Sequence, residues 1–512
     1  MKSVFFDSFS ERPKHLDPAV AYSSDEYRFI CKIYEPPLQY HYLERPYRLI
    51  PLTAEDMPSF TYYDNNEKEL PPDAPAADVA RTVWTVRIQK GILFQEHPCF
   101  ARDNTGAHLY HSLTSRDMEN IRTLFDFEHT GTRELKAKDY VYQIKRLADP
   151  RNRCPIFATV LAEYIQGMKE YRRLLTGKIR EIREQRKEDQ GVFYNREQDE
   201  RENPIVLEYA SIPCPGVEVV DDYTYTITLN KKYPQFKYWL AMPFFSPMPE
   251  EAVRFYSQKE TRDRNITLDW YPVGTGAYRV SLYDPNWRVV LVENESYRKE
   301  TYPETGAPED RKRGLLADAG KSMPGIKKIV FSVEKETTPR WRKFMQGYYD
   351  ISGISSEQFS RVMDLSGSES RLSERMKERD IRLVTSVSPT VFYMGYNMQD
   401  SVVGGLSEKQ CKLRQALSIA LNREEYIDIF LNGRGVAAQH PIPPGIFGHI
   451  GGREGMNPFT HQWDQDRGDS VRKSPEVARK LLAEAGYPGG IGKDGTEVVL
   501  GYDTVYRPGN CV

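Results

Sequence analysis

Apolar and polar residues along the chain alternate with two different periods, and the switches between them mark out elements. Trp84, Val86 and Ile88 alternate with Thr85 and Arg87, the period of a half-buried strand, and Gly91 follows as a turn residue. Across 217–229, Val217 and Val219 lead into Asp221-Asp222. Tyr223, Tyr225, Ile227 and Leu229 then alternate with threonines, which predicts a β-hairpin. Between these strands Tyr140, Val141, Ile144 and Leu147 recur at helical spacing, and Asp149-Pro150 ends that helix. Over 160–200 one stripe of Tyr171, Leu175, Ile179 and Ile182 runs through a background of Arg, Lys and Glu. The pattern predicts a surface helix with a polar tail, an insertion whose functional alternative is a docking arm.

A polar, Gly- and Pro-rich connection at 299–324 separates this block from the next. Beyond it, 326–333 reads as a strand, 337–346 as a helix stopped by Gly347 and 349–354 as a second strand, together a βαβ unit. Residues 392–397 read as extended. Leu413, Leu417, Ala420 and Leu421 form a helical face. Asn422 then caps a new helix, with Glu425 reaching back and Gly433 as the stop. Ser474 caps the next one with Pro475 at its first position, and Gly486 and Pro488 close it. A strand begins at 498–500. Because it would need neighbours and only a dozen residues follow, the chain is expected to be a piece of a longer one.

A length of 512 residues predicts two to four domains. The 71 Lys and Arg nearly balance 73 Asp and Glu, so no global field recruits nucleic acid or an anionic membrane. No run approaches the roughly 20 apolar residues that span a bilayer. Asp7, Glu11 and Arg12 stand where an export signal would be apolar, so none is expected in this chain. The six cysteines contain no CxxC pair and are expected to be reduced. Tyrosine occurs 33 times, and its flat face with a hydroxyl suits recognition surfaces as well as cores.

Catalytic motifs are missing. The chain has no HExxH, GxxxxGK[ST] or GxSxG, and Gly274-Thr275-Gly276 lacks the third glycine of a dinucleotide site. His108 and His111 stand three apart without a second ligand pair. Asp221-Asp222 is better explained by turn chemistry than as a catalytic carboxylate pair. His97 and His440 have no visible nucleophile partner. Each absence lowers the case for an enzyme, and no metal centre or cofactor is expected.

Several segments taken in order resemble the extracellular solute-binding proteins of ABC transporters, in the dipeptide, oligopeptide and nickel branch. They are Leu16-Asp17-Pro18, the strand and turn at 84–94, Asp139 to Tyr142 with Arg146 to Pro150, the hairpin with Met242-Pro243, and Val273 to Tyr278. Asn397, Arg414 to Ala416, Asn422-Arg423 and Pro441 to Pro444 follow. Glu96-His97-Pro98 departs from the family's usual His-Asp-Gly. The resemblance implies an α/β fold of the type 2 periplasmic-binding-protein kind. Two lobes close over a ligand, with an extra subdomain in the first lobe. The implied layout is first lobe 1–50, extra subdomain 51–215, first lobe again 216–300, linker 301–325 and an incomplete second lobe 326–512.

The implied function is capture of a peptide or similar small solute for an ABC permease, by a monomer in the periplasm or cell envelope. A sensor or docking role and a cleft hydrolase are the competing readings. Carried over position by position, the ligand contacts fall on Tyr22, Ser23 and Ser24, on Phe157, on Phe392, Met394 and Asn397, and on Arg507. Tyr22 stands where relatives often place an acidic residue for a peptide's amino end.

Overall fold

The computed structural model describes residues 3–364 and 371–503. The backbone clusters into two compact units. The first holds residues 1–44 and 48–353, the second 45–47 and 354–512.

The first unit is built on two sheets. Their strands are β1 (Val4–Phe9), β2 (Ser59–Tyr63), β3 (Glu69–Leu70), β4 (Arg81–Arg87), β5 (Val217–Asp221), β6 (Thr224–Leu229), β7 (Tyr278–Asp284), β8 (Arg288–Glu293) and β9 (Lys328–Val333). One sheet has the order β1-β9-β8-β7, with β1 and β9 parallel and the other pairs antiparallel. The second is antiparallel throughout, in the order β3-β2-β4-β6-β5.

Alternation in sequence becomes alternation in burial here. Trp84, Val86, Tyr225, Ile227 and Leu229 are buried while the threonines between them are only partly covered, because successive side chains of a strand point to opposite faces. Beyond Val217, β5 is exposed at an edge of its sheet. Asp221 shapes the turn into β6, its carboxylate accepting from the Tyr223 amide at 2.8 Å, as turn chemistry requires.

Three helices pack on this frame: α1 (Ser24–Ile30), α2 (Ala137–Arg146) and α3 (Met168–Gln190). The α3 stripe of Tyr171, Leu175 and Ile179 is buried, as its spacing predicts. A short helix α4 (Arg196–Glu202) runs back along it. A buried aromatic core extends from Phe9 and Phe29 through Trp84, Tyr140 and Tyr225 to Phe255.

Residues 301–325 do not leave the first unit. Glu300–Thr301 pairs with Ser322–Met323, which closes the excursion on itself. Residues 326–353, expected in the second lobe, belong to the first unit because β9 pairs along its whole length with β1. The expected helix is present as α5 (Thr337–Met345). The strand expected at 349–354 is not formed. Only Asp350 meets the sheet, its amide donating to Phe6 O at 2.9 Å, so the predicted βαβ unit is a strand and a helix.

Within the second unit, α6 (Glu408–Ala420) buries Leu413, Ala416 and Ile419. The expected face through Leu417, Ala420 and Leu421 is therefore off by one position along the helix. Helix α7 (Arg423–Leu431) begins at Asn422, whose side chain accepts from the Glu425 amide at 3.1 Å. Asn432 adopts the left-handed conformation that ends it, immediately before the predicted Gly433. Helix α8 (Pro475–Glu484) starts after Ser474 with proline at its first position. Its only described sheets are two-stranded, Met363–Asp364 with Arg371–Leu372 and His461–Asp464 with Asp469–Arg472. Neither 392–397 nor 498–500 forms a strand.

Candidate functional site

The segment between β1 and α1 is held by two carboxylates. Asp17 accepts from the Ala19 amide at 2.9 Å and receives a bidentate clasp from Arg146 of α2, with Nη1 at 2.8 Å from Oδ1 and Nη2 on Oδ2. Both side chains are more than nine-tenths buried. Burial disfavours the Arg146 cation, but the Asp17 charge and hydrogen bonds reverse this and hold the guanidinium firmly protonated. The Leu-Asp-Pro motif is thereby riveted to the helix that ends in Asp149-Pro150.

Glu26 is the second carboxylate. Ser23 caps α1, its hydroxyl accepting from the Glu26 amide at 3.2 Å. Glu26 accepts in return from Ser23 N at 3.0 Å, Tyr22 N at 2.8 Å, His15 N at 3.0 Å and Lys14 N at 3.2 Å. Burial pushes its carboxyl up, but the surrounding amides outweigh that and hold it below the usual range. The backbone donors of Tyr22 and Ser23 are thus committed to Glu26. What the segment leaves outward is the Tyr22 ring, 71% exposed and tilted over Phe244 with centroids 6.4 Å apart.

The Gly274-Thr275-Gly276 phrase has a steric reason. A Cβ on Gly274 would lie 1.9 Å from the Ile33 carbonyl oxygen, and one on Gly276 would lie 2.7 Å from the oxygens of Ile33 and Lys32. The Gly276 amide donates to Ile33 O at 2.8 Å, so the two backbones meet directly. Thr275 donates its hydroxyl to the buried Glu35 at 2.8 Å, and Arg298 Nη1 reaches the same Oε2 at 2.6 Å. Burial raises the Glu35 carboxyl, with Arg298 opposing it.

This framing presents a tyrosine surface. Tyr27, Tyr40 and Tyr42 are exposed although the frame beside them is buried. Tyr42 stacks on Tyr302, centroids 6.3 Å apart and planes at 17°. Desolvation, then the neighbouring Cys31 and Tyr40, raise the Tyr27 hydroxyl. Desolvation and Tyr238 raise that of Tyr40, and desolvation followed by Glu300 raises Tyr42. All three stay protonated at neutral pH, as O–H groups on flat rings. Glu300 lies at their edge, accepting from Tyr297 Oη at 3.0 Å and Gln39 Nε2 at 2.8 Å. Tyr27, Tyr40 and Tyr42 fall outside the positions that the resemblance implies, which include Tyr22 alone of the exposed tyrosines of this unit. The abundance of tyrosine was the available signal, and it gives no positions.

The other predicted contacts are placed differently. Phe157 sits in a single π-helical turn, Phe157–Leu161, buried beneath the Arg172 guanidinium at 4.1 Å. In the first unit it is a core residue, because the cation covers its ring. In the second unit Phe392 is 92% exposed and Met394 is also exposed. Exposed Asn397 accepts from the Gln399 amide at 3.0 Å and shapes a turn. Tyr22, Ser23 and Ser24 are brought together at the start of α1, and Phe392, Met394 and Asn397 along one segment of the other unit. Arg507 lies outside the described residues.

The histidines are engaged locally. His97 is buried, with Nδ1 accepting from the Cys99 amide at 3.0 Å and Nε2 bonded to Tyr256 Oη at 2.7 Å. Tyr256 Oη donates in turn to Tyr271 O at 2.6 Å. This puts the ring proton on Nε2, and burial drives the pKa down to about 3. His108 and His111 stack face to face at 4.1 Å, and His111 Nε2 lies 2.9 Å from Cys99 O. His440 Nε2 is 2.8 Å from Ile450 O. Among the described residues no group of three or more His, Cys, Asp or Glu side chains is arranged to hold a metal ion, and no helix is long and apolar enough to cross a membrane.

Residues 128–508 match the family described as bacterial extracellular solute-binding proteins, family 5 Middle. Heme-binding protein A of Haemophilus influenzae is 28% identical over 280 residues, which is 54% of this chain and 41% of that protein. The periplasmic oligopeptide-binding protein OppA of Salmonella typhimurium is 24% identical over 355 residues, 69% of this chain and 49% of OppA. The chain thus spans about half or less of the length of these curated relatives.

Among solved structures, the murein tripeptide binding protein MppA of Escherichia coli aligns with a TM-score of 0.53 at 18% identity. The alignment covers 94% of this chain and 66% of MppA. DppA of Helicobacter pylori, in complex with the peptide STSA, aligns with a TM-score of 0.51 at 17% identity, covering 95% and 67%. These likenesses show the fold, α/β and of the type 2 periplasmic-binding-protein kind. With three quarters of its length matched by that one family, the chain belongs to the bacterial extracellular solute-binding proteins, family 5.

Proposed function

We propose that this chain is the solute-capturing component of an ABC importer, taking up a peptide or peptide-like small solute reversibly and passing it to a membrane permease. In this reading it acts as a monomer in the periplasm or cell envelope and breaks no bond in its cargo. The observation that carries the reading is the tyrosine surface of the first unit, exposed on a frame pinned by the Asp17–Arg146 and Glu35–Arg298 pairs. Flat rings with protonated hydroxyls contact variable side chains and main-chain amides alike, and Glu300 adds an acceptor for a ligand donor. Tyr22, Tyr27, Tyr40 and Tyr42 are the proposed contacts in this unit, with Phe392, Met394, Asn397 and Arg507 carried over for the remainder. A solute binds importer components productively only if it favours the conformation the permease recognises.

The test is native mass spectrometry of the purified protein, followed by denaturing release and identification of the bound solute. Replacing an aromatic contact costs about 0.5–1.5 kcal/mol beyond lost area, so Tyr22→Ala and Tyr42→Ala should each weaken solute retention roughly tenfold. Full retention in both variants, or cleavage products among the released molecules, would overturn the assignment.

A further inference from the structure

The helical hairpin of α3 and α4 has a tip unlike the rest of it. Its base is anchored by Tyr171, Leu175 and Ile179, and the Tyr171 hydroxyl donates to Tyr209 O at 3.2 Å. Further out the two helices are tied by ions. Arg183 bonds Glu200 at 2.7 Å, Arg186 bonds the buried Asp199 at 3.0 Å, and Gln190 Nε2 donates to Asp199 at 2.7 Å. Helix α4 is fastened to the body through Arg201 and Asp263 at 3.1 Å. The arm is therefore held in place without any partner.

Between the helices the chain turns at Gly191, with φ of 55° and ψ of −131°, a conformation effectively reserved for glycine. That turn lifts Val192 and Phe193 into solvent, 94% and 89% exposed. Apart from Leu174, the outward positions of the arm are polar, charged or glycine. Scattered exposed apolar residues mean little. Two adjacent ones, fully exposed on a glycine-built turn at the end of a braced arm, form a probe.

Its surroundings select the partner. The concave surface beside Val192 is lined by Glu184, Lys187 and Glu188, and the one beyond Tyr194 by Arg196, Glu197 and Glu200. Glu200 is already answered by Arg183 and Arg196, so the acids left exposed at the tip are Glu184, Glu188, Asp189 and Glu197, against the exposed cations Lys187 and Arg196. An acidic rim is repelled by an anionic lipid surface, which favours basic segments. It complements a protein socket whose floor is apolar and whose edge carries Lys or Arg. We propose that Val192 and Phe193 form a docking tip inserted into such a basic-rimmed apolar socket on another protein, an inference that does not depend on the identity of the solute.

The experiment places a benzophenone amino acid at position 193, and at Lys178 on the same arm as control, in the full chain expressed in cells. Crosslinked peptides are then sequenced. The expected result is an adduct at 193 and not at 178, to an apolar peptide flanked by Lys or Arg. Its yield should fall at least fivefold in Glu188→Lys/Glu197→Lys. With the purified partner, Phe193→Ser should weaken binding at least tenfold, in keeping with loss of a buried aromatic anchor, while leaving the thermal melt of the chain unchanged. Adducts to lipid or to a second copy of this chain overturn the proposal. So do equal adducts at 178, an acidic partner peptide, or a yield indifferent to the charge reversal.

Discussion

Asp17→Ala removes one half of a buried ion pair and leaves the other half in place. Arg146 would remain charged, with 7% of its side chain exposed, in a site where Gln143 Oε1 at 3.5 Å is the nearest remaining side-chain acceptor. Breaking a buried pair from one side costs about 3–5 kcal/mol, because the stranded charge has lost its water and its partner. Replacing both groups with apolar residues of similar volume is far cheaper and is sometimes neutral. Urea unfolding followed by tryptophan fluorescence, to which Trp84, buried in the same unit, contributes, reads the difference. At a slope of about 3 kcal/mol/M, Asp17→Ala should lower the midpoint by about 1 M or more. The double variant Asp17→Leu/Arg146→Met should recover at least half of that. If the single variant moves the midpoint by less than about 0.3 M, or if the two losses simply add, the clasp is not what holds the Leu-Asp-Pro segment.

Four further outcomes can be checked on the same protein. Gly274→Ala should yield little folded protein, since its methyl carbon would fall 1.9 Å from Ile33 O. Gly177→Ala, inside α3 with nothing within 4 Å of the new Cβ, should instead stabilise by about 0.5–1 kcal/mol in a urea titration. Buried His97, with its pKa pressed down to about 3, is protonated more readily when unfolded. Its contribution is complete above an unfolded pKa near 6.5 and is lost at about 1.4 kcal/mol per pH unit as pH falls toward 3. The wild-type urea midpoint should therefore drop more steeply below pH 6 than that of His97→Gln; parallel curves would mean the ring is not held neutral. Ser23→Ala should cost about 1 kcal/mol through loss of the α1 cap, measurable by calorimetry, with no cost if the cap is dispensable.

Elements whose signal is local were readable in the amino-acid order. The alternation at 84–88 and 217–229 survives as β4, β5 and β6, the Asn422 cap opens α7, and α8 starts at Pro475 as expected although the Ser474 side chain makes no capping hydrogen bond. The failures share a cause. At 349–354, 392–397 and 498–500 the residues suit a strand, but a strand exists only where another backbone pairs with it, and composition does not name the partner. The same gap hid the membership of β9, whose neighbour β1 lies at the other end of the first unit. At the candidate site, motif matching located Tyr22 but not Tyr27, Tyr40 and Tyr42, since an outward tyrosine and a core tyrosine such as Tyr140 look alike until the sheets are in place.

The pairing of Val4 with Lys328 also sets a schedule. A ribosome adding about 10 residues per second takes roughly half a minute to travel from one to the other. Throughout that interval β1 waits without the strand it pairs with. A nascent chain that has not yet released Lys328–Val333 therefore carries β1 as a lone strand without its parallel partner, open to non-native pairing.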